Sequence, residues 1–378
     1  MRSSILIVGA SIAGLTAAHW LARSGFTVTI AERSPGMRSG GNGVDLRGRA
    51  AEVIAGMGLA EQVRAAATDV IGMRFVDASD RVTAQVDTRM AGAVEIMRGD
   101  LVRLLASATA GVEVRFARGV TALTQEADSV TVTFDGGASE RYDLVIGADG
   151  VHSAVRRLAF GPDERSTRFR GHYFAFADAG PDLGEPRWMT AFNQPGRMVG
   201  IYRAGRQAES KAYFVFRSAP LRYDRRDIAE QARIVRAAFA ADADRRTWRV
   251  RELLDAAAAD PFLYFDAVSQ VRLTRWSTGR VVLIGDAAYC ASPASGAGAE
   301  LAVAGAHRLA TELAAADGDH RAAFARYQAT LEPFVRRRQR IGANLRMMVP
   351  RTEAGRRLRD GFTRLPFLTS LERRYDAA

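Results

Sequence analysis

The chain has 378 residues, 48% hydrophobic and 25% charged, a balance that suits an ordinary folded protein and excludes intrinsic disorder. The formal charge of +11 invites a nucleic-acid reading, but the excess is arginine spread along the whole chain and Lys211 is the only lysine. No zinc spacing or aromatic ribonucleoprotein signature accompanies it, so nucleic acid is not an expected partner.

The single cysteine, Cys290, excludes an intrachain disulfide and any multi-cysteine metal site. A buried apolar thiol is expected there. No uncharged apolar run reaches the roughly 18 residues of a transmembrane helix, so integral membrane contact is not expected and a reducing cytoplasm suits the composition.

The first segment, MRSSILIVGASIAGLTAAHWLARSGFTVTIAERS, has two readings. An arginine followed by apolar and small residues resembles a secretory signal. The same letters spell a strand (SILIVG), a helix (AGLTAAHWLARSG) closed by Gly25, and a second strand (FTVTIAE). The pattern runs on with no cleavage site and no mature start, which favours the second reading. Strand–helix–strand over so short a stretch is a βαβ unit and implies a parallel sheet.

Gly9-Ala10-Ser11-Ile12-Ala13-Gly14 then falls at the turn. In a dinucleotide fingerprint the first glycine makes the turn, the second admits the pyrophosphate and the third lets helix pack on strand. Ser11 stands where the middle glycine is usual; it is small and can donate to phosphate. Glu32, ending the second strand, is placed to accept from a ribose hydroxyl. This stretch points to a dinucleotide without deciding which.

A helical stretch (GRAAEVIAGMGLAEQVRAAA) and an alternating one (VIGMRFVDASDRVTAQVDT) follow, then a helix near 100–109. GVEVRFARGVTALTQEADSVTVTFDGG predicts two or three antiparallel strands. RYDLVIGADG is a second buried strand, ending on Asp149-Gly150. Asp149 either faces a ligand crevice or caps the next helix, which carries Ser153 and Arg156. From about 167 to 274, strands such as HYFAFA and KAYFVFR with the helical DIAEQARIVRAAFAAD predict an antiparallel sheet with helices.

GRVVLIGDAA is a third buried strand, ending on Gly285-Asp286. Pro293, Gly296, Ala297 and Gly298 form a small-residue loop opening the helix AELAVAGAHRLATELAAA, whose dipole favours negative charge nearby. The remainder is mostly helical. Arg336, Arg337, Arg338 and Arg340 predict a solvated helix face. The amphipathic RLRDGFTRLPFLTSLERRYD is expected to dock on the protein itself rather than on a membrane surface.

In this order and at these separations, the three motifs resemble the flavin-dependent aromatic hydroxylases. This is the para-hydroxybenzoate hydroxylase-like group A monooxygenases, which include the tetracycline-inactivating branch. The resemblance spans nearly the whole chain and is most specific at Gly285-Asp286. It implies an α/β fold: a Rossmann-like FAD-binding domain (1–75, 98–166 and 275–330), an inserted antiparallel-sheet substrate domain (76–97 and 167–274) and C-terminal helices (331–378).

By the same resemblance the first motif, with Glu32 and Arg33, holds the ADP half of FAD, and Asp149-Gly150 serves FAD and the nicotinamide cofactor. Asp286 bonds the ribityl chain, and the loop after it lies against the isoalloxazine ring. Arg98 and Leu101 match FAD-contacting positions. Asp45 matches a flavin-contacting aspartate, and Arg38 an arginine implicated in NADPH binding. The chain departs from the family at Glu300, usually asparagine, at Gly305, usually aspartate, and at Tyr289, usually histidine.

The implied cycle is hydride transfer from NADPH to FAD, reaction with O2 to a C4a-hydroperoxide, and oxygen transfer to a small aromatic or polycyclic substrate. The protein would act as a monomer or weak homodimer. Phe174, Phe176, Phe192, Tyr213, Phe214 and Phe216 are candidates for the substrate lining, about half of them by alternation. No catalytic base stands out; His172 and Tyr173 are the nearest candidates. Trp20, Trp188, Trp248 and Trp276 stand apart, unlike the Trp-x-Trp-x-Ile-Pro segment of flavin halogenases. Baeyer–Villiger or epoxidising chemistry on the same scaffold, and flavin binding without turnover, stay open.

Overall fold

The computed structural model describes residues 3–37, 40–87, 92–181, 183–205, 209–244 and 247–362, and the chain divides into two compact units. The first comprises Met1–Ala67, Gly92–Arg168 and Ser269–Ile341. Its six-stranded sheet runs in the order Ser277–Thr278, Val281–Leu283, Leu144–Gly147, Ser4–Val8, Thr27–Ala31, Glu113–Arg115. Every pairing is parallel except that of the edge strand Ser277–Thr278. Ile5, Leu6, Ile7, Val281, Val282 and Leu283 are wholly buried, as apolar strands covered on both faces must be.

Register decides where the motifs go. Val8 stands beside Gly147, and Gly147 beside Leu283, so three strands far apart in sequence end level. The ladder continues past them: Gly9 N–H donates to Ala31 O (2.8 Å), Ala148 N–H to Val8 O (2.8 Å) and Ile284 N–H to Gly147 O (2.9 Å). The turns at 9–14, 148–150 and 284–286 therefore leave one C-terminal edge side by side, where open parallel sheets hold ligands.

Some local expectations shift. Glu113–Arg115, read as part of an antiparallel run, pairs in parallel with Thr27–Ala31; three residues are too few for alternation to disclose a partner's direction. The antiparallel sheet there is Val120–Gln125, Val130–Phe134 and Ser139–Tyr142. The long helical stretch is two helices, Arg49–Gly56 and Ala60–Ala65, parted near Gly58, whose φ of +76° stops the first.

Strand partners also set the unit divisions. Gly72–Val76, all but its last residue within the stretch 1–75, pairs with Trp188–Gln194 in the second unit. Val94–Met97 lies in 76–97 but pairs with Gly43–Leu46 in the first. The helix His320–Arg338 also belongs to the first unit.

The second unit, Thr68–Ala91, Phe169–Val268 and Gly342–Ala378, is built on a seven-stranded sheet. Its order is Tyr264–Val271, Thr167–Pro181, Glu209–Arg217, Arg197–Arg203, Trp188–Gln194, Gly72–Val76, Val82–Asp87. The pairing of Trp188–Gln194 with Gly72–Val76 is parallel, against the antiparallel expectation, because the latter strand arrives from a separate part of the chain.

Alternation sorts the aromatics into two sets. Tyr173, Phe192, Phe214 and Phe216 pack with Phe239 of the helix Ile228–Asp244 and Leu253 of the helix Val250–Ala259. Phe174, Phe176 and Tyr213 occupy the opposite face of the sheet.

Candidate functional site

The first turn is a backbone cradle. Gly9 adopts φ +111°, and a Cβ on it would stand 2.5 Å from the Ala148 carbonyl oxygen; a Cβ on Gly14 would run into the Gly9 carbonyl. Both glycines are required by close backbone approach. Ile12 and Ala13 open the helix Ile12–Arg23, so their N–H groups and that of Gly14 face outward at its positive end.

Ser11 precedes that helix in extended backbone (φ −121°) and its side chain makes no capping bond. Its hydroxyl accepts instead from Arg98, Nη2 to Oγ 2.9 Å. Arg98 is preset by a loop that sequence reading passed over. Its backbone N–H donates to Asn42 O at 3.0 Å, and its Nη1 lies 3.4 Å from Gly40 O. Gly41 (φ +145°) has no room for a Cβ, which would stand 2.8 Å from Arg98 Cβ.

Glu32 accepts from Ala10 N–H (2.9 Å) and Ser34 N–H (2.8 Å), one on each oxygen. This fixes the carboxylate at the mouth of the turn with lone pairs left over for a hydroxyl donor. Arg33 is exposed, Leu101 lies wholly inside the first unit's core, and Arg38 lies outside the described residues.

At the second strand end, the helix-capping role of Asp149 is realised. Its carboxylate accepts from Ser153 Oγ (2.5 Å), Ala154 N (2.6 Å) and Val155 N (3.1 Å). Burial pushes its pKa up, against the pull of those hydrogen bonds. Gly150 follows at φ +80°. Arg156, fully buried, donates to Val151 O (2.6 Å), Asp163 Oδ1 (2.6 Å) and Ala287 O (3.0 Å). It thereby ties the second motif to the third.

In the third motif Asp286 is exposed, while 281–285 and 287–292 are buried. Gly285 (φ +58°) packs on the first helix; a Cβ there would come 2.9 Å from Ala13 Cβ. Ser292 holds φ +87° without being glycine, a backbone conformation that persists only where the surroundings enforce it. Its hydroxyl accepts from Ala294 N–H at 3.3 Å. Pro293 begins the short turn that Gly296 (φ +61°) ends, and Ala297 and Gly298 lead into the helix Gly298–Ala314.

The departures from the family pattern have physical partners. Glu300, with 3% of its side chain exposed, forms salt bridges of 3.1 Å to both Arg47 and Arg338. Arg338 is thus turned inward, against the expected solvated face, because a buried carboxylate on the neighbouring helix needs cations. Arg336 keeps to the surface with Glu332. Asp45, two residues before Arg47, is held above its ordinary pKa by burial, with Arg47 opposing and Glu300 adding.

Gly305 and Tyr289 form a matched pair: a Cβ on Gly305 would meet the Tyr289 hydroxyl. That hydroxyl lies 3.0 Å from the Tyr327 hydroxyl, whose own proton is taken by Leu283 O at 3.1 Å. Gln339 Nε2 donates to Tyr289 O (3.2 Å), Cys290 O (3.3 Å) and Val271 O (2.8 Å), clamping the flank of the glycine loop. Cys290 is buried, its thiol 3.7 Å from Ser269 O.

Within the second unit, Phe176 stacks on Tyr264 at 4.7 Å, and Tyr213 lies 5.6 Å from Phe174 and 6.0 Å from Tyr202. Tyr202 and Tyr264 join this face although sequence reading did not name them. Tyr173 lies on the other face, its hydroxyl accepting from Leu221 N–H at 2.6 Å. His172 is buried with Nδ1 2.9 Å from Arg170 O, and burial lowers its pKa. The described part of the C-terminal amphipathic stretch docks on its own unit. There Arg359 donates to Asn193 Oδ1 (2.7 Å) and lies 3.6 Å from the Phe75 ring centre. The rest, 363–376, lies outside the described residues.

Among the described residues no group of His, Cys, Asp and Glu could hold a metal ion, and no helix is long and apolar enough to cross a membrane.

Comparison with known proteins matches a family model described as an FAD binding domain over residues 2–340. A flavin-dependent monooxygenase of Legionella longbeachae is 37% identical over 343 residues, 89% of this chain and 87% of its own length. The protein Rv1260 of Mycobacterium tuberculosis is 40% identical over 344 residues, 89% of this chain and 91% of its own. The crystal structure of tetracycline destructase Tet(51) superposes with a TM-score of 0.85 at 33% identity, covering 96% of each chain.

Proposed function

The chain belongs to the FAD-binding family of flavin-dependent monooxygenases, and on that premise we propose that it takes electrons from NADPH and inserts one atom of O2 into an aromatic or polycyclic small molecule. The observation that carries the reading is the level ending of three parallel strands, which sets a phosphate-binding turn, a capped Asp-Gly turn and an Asp-led glycine loop on one edge.

The residues fit FAD. Gly9 and Gly14 keep the turn open to backbone approach, and the N–H groups of Ile12, Ala13 and Gly14 with Ser11 and Arg98 suit a pyrophosphate. Glu32, with Arg33 nearby, suits the adenosine ribose. Asp45, Asp149-Gly150, Gly285-Asp286 and the loop of Pro293, Gly296, Ala297 and Gly298 would hold the flavin half. FAD supplies the electron-transfer and oxygen chemistry; the protein binds it, orients it and keeps water away. A carboxylate near a ring that gains negative charge is unfavourable, and Glu300 meets that objection by carrying two arginines.

The relatives and the aromatic face of Phe174, Phe176, Tyr202, Tyr213 and Tyr264 support a flat, apolar substrate. The test is NADPH oxidation under air by the FAD-loaded protein, with and without a panel of phenolic and polycyclic compounds. Stimulation by a panel member with formation of an oxygenated product supports the reading. A flavin-loaded protein that never consumes NADPH overturns it.

A further inference from the structure

We propose that Ser11 is a phosphate-directing residue of the FAD site: its oxygen takes a hydrogen bond from Arg98 while its own O–H is turned to the cofactor's pyrophosphate. The inference rests on the FAD reading above and deepens it at one residue. Glycine, usual at this position, offers neither function.

A serine before a helix ordinarily spends its oxygen on an N–H of the first turn. Ser11 does not, so those amides keep their capacity for an anion. Its oxygen serves the Arg98 guanidinium instead, at 2.9 Å. A hydroxyl has one proton and two lone pairs, and a guanidinium cannot accept, so this bond leaves the Ser11 proton unspent. Among the described residues no acceptor takes it. Accepting from a cation also strengthens the hydroxyl as a donor.

Ser11 is only half-buried, at the positive end of the first helix, where an anion is favoured. Its partner is not adaptable: Arg98 is threaded past Gly41 and bonded to the 40–42 loop before any ligand arrives. The pair is thus a preset cation with a preset hydroxyl donor at one spot. Preorganised donors of this kind bind phosphate without ordering cost at the moment of binding.

The experiment measures dissociation constants of FAD, by flavin fluorescence, and of ADP, by calorimetry, on flavin-free protein. The variants are Ser11→Ala, Ser11→Gly, Arg98→Met and the double Ser11→Ala/Arg98→Met, with thermal melting of each flavin-free form to certify folding. ADP carries the pyrophosphate without the flavin. Both Ser11 variants are expected to weaken FAD and ADP alike, by about tenfold. The double variant should lose clearly less than the product of its singles, the mark of a coupled pair.

Ser11→Gly binding FAD within about twofold of the parent overturns the inference, as does a loss on FAD with ADP unchanged, or fully multiplicative losses. A folded parent that binds neither FAD nor ADP overturns the flavin reading itself, and this inference with it.

Discussion

Replacing Glu300 tests how the glycine loop is held. Its carboxylate is 3% exposed and bridges Arg47 and Arg338, which are 15% and 22% exposed, at 3.1 Å each. Removing the acid leaves two guanidinium groups facing each other in a largely water-excluded site. Breaking a buried ion pair on one side costs about 3–5 kcal/mol. At roughly 2 cal/mol/K of unfolding entropy per residue, that lowers Tm by about 4–6 °C for a chain of this length. Glu300→Ala should show the full fall by calorimetry. Glu300→Asn, which restores the residue usual in the family, should also fall, because a neutral amide gives up both charge pairs that the carboxylate makes with Arg47 and Arg338. Arg338→Met should cost less than Glu300→Ala, since the Arg47 pair survives. A Glu300→Ala protein melting within about 1 °C of the parent would refute this reasoning, because so small a change corresponds to under about 1 kcal/mol.

Two further outcomes follow from the same region. Gly305→Ala forces a Cβ against the Tyr289 hydroxyl and should cost about 1–3 kcal/mol by overpacking. Adding Tyr289→Phe should recover most of that loss, because Tyr327 O–H keeps its bond to Leu283 O at 3.1 Å; no recovery in Tm would mean that the two positions are not matched. Asp45→Asn should raise the Tm of the flavin-free protein at neutral pH. Folding lifts the Asp45 pKa above 3.8, so ionising it costs stability as pH rises through the folded value. The asparagine gain should therefore vanish below pH 3.8, and a gain that grows on acidification would contradict the assignment.

The three strand ends were legible because each combines a fully apolar run with a glycine or aspartate stop, a local signal that tertiary context does not override. The aromatic face was half legible. Alternation separated Phe174 and Phe176 from their neighbours, but only the sheet order brought Tyr202 and Tyr264 beside them. The partners of Glu300 were not legible, since Arg47 and Arg338 carry no spacing that relates them to a helix elsewhere in the chain. Gly41 reads as a flexible loop residue until Arg98 is seen passing it. Asp149 offered two readings that a strand-end aspartate cannot separate. Only the positions of the Ala154 and Val155 amides and the Ser153 hydroxyl make it a cap. Likewise the membership of Gly72–Val76 and Val94–Met97 follows from long-range pairing, which hydrophobic alternation does not encode.

The central claim is that this chain uses FAD, NADPH and O2 to place one oxygen atom on an organic substrate. Its most direct test is turnover under isotope-labelled O2, with the product read by mass spectrometry alongside NADPH consumption. The account predicts one labelled oxygen atom per product molecule and NADPH consumed in step with it. Label appearing only in peroxide or water, whatever aromatic or polycyclic compound is offered, would contradict it.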